Sequence, residues 1–148
     1  MFYIEQLVTS FIASAAFGVI FNAPKESLVK GGFVGAFGWM IYTMLSLFEM
    51  DDVLATLIAT FFIAVMSQVF ARRYRTPVII FSVAGIIPLV PGGLAYDAMR
   101  RFVLNDYDTA ITLAAKALMI SGSIAIGLVF SEVVNQMIRQ SKFKHSRP

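Results

Sequence analysis

The sequence predicts an all-α, polytopic membrane protein of about five transmembrane helices, the fourth broken at Pro88-Pro91. Three observations carry this. Four uncharged apolar stretches run through the chain, Gly31–Phe48, Val53–Ala71, Thr76–Tyr96 and Ala117–Ser131, and a fifth, Tyr3–Asn22, carries only Glu5. The charged residues gather in the gaps between them. The composition is that of a lipid-embedded chain: 58% of the 148 residues are hydrophobic and 14% charged, with a mean hydropathy of +0.77. A helix rises about 1.5 Å per residue, so runs of this length cross a hydrocarbon core of roughly 30 Å.

Taken in order, the spans fall at about 3–22, 31–48, 53–71, 76–96 and 109–131, with 132–148 as a basic cytoplasmic tail. Residues 1–148 therefore read as a single transmembrane domain. The first run reads as a retained helix rather than a signal peptide, because Glu5 and Gln6 stand where a signal peptide needs positive charge. It carries Gln6, Ser10, Ser14 and Gly18 at steps of four. The second carries Gly31, Gly35 and Gly38, and the third Thr56, Thr60, Ala64 and Gln68. The fifth, extended back through Lys116 to Thr109, carries Lys116, Ser123, Gly127 and Ser131 on one side. In lipid, helices associate through close packing and hydrogen bonds, so small and polar stripes mark inward faces. Each stripe reads as a packing seam or as the wall of a polar path.

The fourth run contains Gly85-Ile86-Ile87-Pro88-Leu89-Val90-Pro91-Gly92-Gly93. Two prolines remove two amide donors and clash with the preceding turn. The residues predict a broken helix whose bared peptide groups need protein or a watery cavity to satisfy them. A kink for packing, or the helix's outer end, is the plainer reading. Beyond the break, Leu94–Val103 reads as a short amphipathic helix holding Arg100 and Arg101 at the headgroups. Lys116 sits about two turns inside its run, where an isolated charge costs several kcal/mol. It either snorkels to the interface or lines an aqueous cavity and attracts an anionic group.

The gaps alternate in sign. Lys25, Glu26 and Lys30 lie in the first; Glu49, Asp51 and Asp52 in the second; Arg72, Arg73 and Arg75 in the third. The connection around Asp97–Thr109 is mixed, and the tail adds Arg139, Lys142, Lys144 and Arg147. Retention of basic residues inside predicts an external N-terminus and a cytoplasmic C-terminus. The net charge of +3 is thus a matter of topology, and no nucleic-acid partner is expected. The chain has no cysteine, which removes thiolate metal sites and cysteine nucleophiles. No His-Glu-x-x-His motif is present, and the lone His145 lies in the polar tail, where it reads as solvated. A span serine has no base to activate it, so neither an enzyme nor a cofactor or metal is expected.

The string GIIPLVPGGLAY (Gly85–Tyr96), the following Asn105-Asp106-Tyr107 and the last helix of the type AxxxSGSIAIG (Ala117–Gly127) resemble the threonine/serine exporter family. The chain is most similar to the small membrane subunit of the split, two-chain form. The resemblance implies a secondary transporter in the cell inner membrane that exports small amino acids such as threonine or serine. Its partner would be a larger five-span subunit with a cytosolic N-terminal region. Related pairs imply a small dicarboxylate such as succinate as the alternative substrate; a non-transporting assembly subunit is the other alternative. Pro88, Pro91, Gly92 and Tyr96 are the motif positions. With Gly85, Lys116 and Ser123 they make up the expected substrate path. If export is coupled to protons, the partner is expected to carry the titrating group, since Glu5 and Glu132 both lie near span ends.

Overall fold

The computed structural model describes residues 2–145, with side chains described for residues 3–138. The side chains of Arg139, Lys142, Lys144 and His145, and all of Arg147, lie outside the described residues. The fold is all-helical: α1 (Phe2–Ile20), α2 (Lys25–Leu47), α3 (Asp52–Tyr74), α4 (Val78–Ile86), a 3-10 turn (Ile87–Leu89), α5 (Gly92–Val103) and α6 (Tyr107–His145). Four of these helices are long and apolar enough to span a bilayer, and the bent pair Val78–Leu89 and Gly92–Val103 passes the same test when taken together.

The helix ends follow local chemistry. Pro24 and Pro77 stand at the N-caps of α2 and α4, where a missing N–H is no loss. Asp51 caps α3 by accepting from the Val53 amide at 3.0 Å. Arg72 and Arg73 in the last turn of α3 meet the negative end of its dipole. Asn22, Glu49, Arg75 and Asn105 each take a left-handed backbone (φ 54° to 61°) just after a helix and turn the chain sharply. Two boundaries differ from the sequence reading. Capped at Pro24, α2 starts at Lys25, so Lys25, Glu26 and Lys30 ride on the helix rather than in a gap. Helix α6 runs on past Ser131 to His145, so the segment expected as a tail begins as a continuation of the last helix.

Pairing fixes the topology. α1 and α2 are antiparallel, with the Trp39 indole N–H donating to Gln6 Oε1 at 2.7 Å near one end and Gly18 against Leu28 near the other. α2 and α3 are antiparallel, with Tyr42 on Asp52 at one end and the Lys30 ammonium 3.6 Å from the Tyr74 ring centre at the other. α3 and α6 are parallel: Lys116 meets Asp52, Gly127 meets Leu57 and Thr60, and Asn135 meets Arg72. Since α3 ends where α4 begins, and α6 starts level with the start of α3, the bent α4–α5 pair must cross the slab between them. Glu49, Asp51 and Asp52 mark one end of the bundle and Lys25, Lys30, Arg72, Arg73 and Arg75 the other.

The core lies between α2, α3 and α4 and is closed by α6. Val34, Ile63 and Phe81 are fully buried in it, with Leu89, Ile120 and Ile124 beside them. The small-residue stripes are what let the helices approach so closely. A methyl group on Gly38 would strike Ile63, and one on Gly35 would overlap Ser14. One on Gly85 would come within 2.7 Å of Val34 and 2.8 Å of Ile63.

Candidate functional site at the broken span

The break follows from the two prolines. Pro88 has no N–H for the Ala84 carbonyl four residues back, and Pro91 has none for Ile87. The Ile87 carbonyl takes the Val90 amide instead, at 3.2 Å, which tightens the chain into the 3-10 turn. The Gly92 amide then turns to the Val90 carbonyl at 2.8 Å, and α5 restarts with the Ala95 amide on the Pro91 carbonyl at 3.0 Å. The axis bends by 50° across these residues. Gly93 and Leu94 lie in the first turn of α5, where amides have no partner within the helix.

A crevice of about 200 Å³ opens beside the break. The segment from Pro88 to Pro91 forms one wall, with Gly93 and Leu94 of α5. Trp39 and Tyr42 of α2, Thr56 of α3 and Ile120 of α6 form the other. Its volume is below the roughly 300–1,000 Å³ of drug-sized ligand pockets, so it suits a small solute. Two larger hollows, each about 450 Å³, are less equipped for chemistry. One lies between α1 and α4 at the basic end, with Asn22 as its sole polar side chain; the other lies between α5 and α6, with Ser121 as its sole polar side chain. Among the described residues, the crevice at the break gathers more polar side chains, Trp39, Tyr42 and Thr56, than these other hollows, and we take that crevice as the site.

Above the crevice lies a three-helix polar chain. Tyr42 donates its hydroxyl to Asp52 Oδ1 at 3.1 Å, and the Lys116 ammonium meets Asp52 Oδ2 at 2.6 Å. Thr56 donates to the Asp52 backbone carbonyl at 2.7 Å. Asp52 and Thr56 are one turn apart on α3, and Lys116 and Ile120 one turn apart on α6, so each helix presents a charge directly over a crevice wall. The ion pair is partly exposed, its side chains 43% and 33% accessible.

The expected path residues separate into groups. Pro88 and Pro91 line the crevice, while Gly92 borders the apolar groove between α5 and α6. Gly85 is buried against Val34 and Ile63, and Tyr96 is 69% exposed on the surface of α5. Ser123 is buried and donates to its own helix, to the Ile120 carbonyl, at 2.7 Å. Lys116 neither snorkels alone nor stands free, because Asp52 holds it. Although two turns into its own helix, it is level with the first residue of α3, since α6 begins farther out.

Trp39, Tyr42 and Asp52 had no signal in the sequence beyond type. Tyr42 and Trp39 sit in an apolar run, and Asp52 reads as one of several acids in a gap. At the opposite end of the same seam, the Gln68 amide donates to Ser131 Oγ at 3.3 Å and Glu132 Oε2 at 3.2 Å, which gives Glu132 a structural partner. Among the described residues, no three His, Asp or Glu side chains converge as metal ligands.

Residues 6–134 match the family described as "Threonine/Serine exporter, ThrE". A Corynebacterium glutamicum protein described as a threonine/serine exporter is 27% identical over 135 residues, covering 91% of this chain and 27% of the relative. A Haemophilus influenzae protein described as uncharacterized is 31% identical over 125 residues, covering 79% of this chain and 42% of the relative. The chain thus spans less than half the length of either. No solved structure matches the fold.

Proposed function

We propose a role in the export of small amino acids for this chain, which belongs to the threonine/serine exporter family, a family of membrane export transporters. The chain is the five-crossing part of a secondary exporter of threonine or serine, and a larger membrane subunit with a cytosolic N-terminal region completes the machine. The observation that supports this reading best is the crevice at the Pro88–Pro91 break. Broken spans are a recurrent way for transporters to turn helix ends and bare peptide groups toward a solute. Here Gly93 and Leu94, whose amides lie in the first turn of α5, border the hollow, and those amides would hydrogen-bond the solute's carboxylate.

The orientation that fits is N-terminus outside and C-terminus in the cytoplasm of the cell inner membrane. The basic end of the bundle, with Lys25, Lys30, Arg72, Arg73 and Arg75, then faces inward. The crevice and the Asp52–Lys116 pair lie toward the outer face, where an exporter releases its cargo.

The test is efflux. Cells co-expressing the chain and the larger subunit should export threonine or serine faster than cells lacking either. Pro88→Ala combined with Pro91→Ala should abolish that difference at equal protein levels. Efflux by the double variant at the unmodified rate would count directly against a path through the break.

A further inference from the structure

We propose that Asp52 and Lys116 form a binding site for a small zwitterion at the rim of the crevice. The solute's ammonium replaces Lys116 on Asp52, and its carboxylate replaces Asp52 on Lys116. This rests on reading the crevice as the solute's path, and adds to that reading the groups that recognise the cargo's two charges.

Three observations converge. First, the ion pair ties α3 to α6 and lies one helical turn above Thr56 and Ile120, both of which line the crevice. Second, Tyr42, which lines the crevice, donates its hydroxyl to the Asp52 carboxylate, so the acid is coupled to the hollow. Third, the pair is only partly covered, and opening it does not strand two fully buried charges.

Charge balance then selects the ligand. A zwitterion exchanges one ion pair for two and leaves no charge without a partner. A monocation leaves Lys116 unpaired, and a monoanion leaves Asp52 unpaired. A dicarboxylate sets a second negative group against Asp52, and like charges at contact distance repel strongly where water is scarce.

Trp39 supplies the readout. It is the single tryptophan of the sequence, it lines the crevice, and its ring centre is 5.2 Å from that of Tyr42. The full chain in lipid nanodiscs is titrated with L-threonine, glycine, threonine methyl ester, N-acetyl-threonine and succinate while Trp39 emission is followed. Threonine and glycine should give saturable changes, and the three probes of other charge type should bind at least about tenfold more weakly. Asp52→Asn and Lys116→Met should each weaken threonine about tenfold. The exchange of the two, Asp52→Lys with Lys116→Asp, rebuilds the bridge but reverses the polarity that the ligand meets, so threonine binding should stay weak; recovery to the unmodified affinity would mark the bridge as merely structural and overturn the site.

A response to threonine unchanged in Asp52→Asn and Lys116→Met overturns the exchange site and leaves the crevice reading standing. A flat response to both zwitterions, or tighter binding of succinate, also overturns it. These ligand comparisons need no variant and hold even where one fails to fold. Saturable zwitterion binding without efflux by the co-expressed pair would keep this site and remove the export reading.

Discussion

The α3–α6 seam and the α4–α5 break are both built from residues that lipid-facing helices rarely use, yet they are opposites. Along the seam, glycine brings backbones together: a methyl group on Gly127 would come within 2.9 Å of the Leu57 carbonyl and 3.0 Å of Thr60. At the break, methyl groups on Gly92 and Gly93 would meet nothing within 4 Å. The seam is tied at both ends by polar side chains, with Lys116 on Asp52 at one and Gln68 on Ser131 and Glu132 at the other. The break is tied by a 3-10 turn and borders a hollow. Small residues alone therefore do not say whether a membrane helix is packed or open. What decides is whether a neighbouring helix occupies the space that the missing side chain leaves.

Substitutions should separate the two regions sharply. The largest effect is expected from Gly127→Leu, which drives a branched side chain into the α3 backbone. It should cost about 3 kcal/mol, the upper part of the range for overpacking, and the thermal midpoint of the purified chain in detergent should fall steeply. Pro88→Ala should act in the other direction. It returns an N–H to the Ala84 carbonyl, and since a proline inside a helix costs about 3 kcal/mol, the variant should melt higher while exporting less. A destabilised but transport-competent Pro88→Ala variant would break the contrast.

Gln68→Leu comes next. Hydrogen bonds between membrane helices are worth about 0.6 kcal/mol on average, so the midpoint should fall slightly, with Glu132 still held by Gln136. The smallest effect is expected from Gly92→Ala, which fills open space at the start of α5 and should shift stability by less than about 0.5 kcal/mol. A loss comparable to that of Gly127→Leu would show that the hollow is not where the glycines place it.

Much of this contrast was legible in the sequence. The five crossings, the broken fourth helix and the inward stripes follow from hydropathy, proline chemistry and four-residue spacing. The stripes face inward: Ser14, Gly35, Thr60 and Ser131 are all buried between helices. What the sequence withheld is the axial offset between helices. Lys116 looks deep when counted along α6, but its level is set by where α3 starts. Asp52 looks like a loop charge until α6 is placed beside it. Gly85 and Pro88 belong to one motif, yet Gly85 serves packing and Pro88 borders the crevice. The two lie about one turn apart along the chain, and that rise carries Pro88 past the level of Val34 and Ile63 to that of Tyr42 and Thr56. Among the described residues, the hydroxyls of Ser14 and Thr60 are buried without a hydrogen-bond partner, a cost of the close approach that these small side chains allow.

Because the sequence has no cysteine, single thiols can map the hollow directly. Val90→Cys and Leu94→Cys border the crevice at positions that are not fully buried, whereas Ala59→Cys and Ser67→Cys lie fully buried on the face of α3 that carries Ile63. A membrane-impermeant maleimide added from outside to the assembled exporter should label the first two and leave the second two unreacted. Labelling of Ala59→Cys and Ser67→Cys with inert Val90→Cys and Leu94→Cys would contradict the account, since the broken span would then border no space that water can enter.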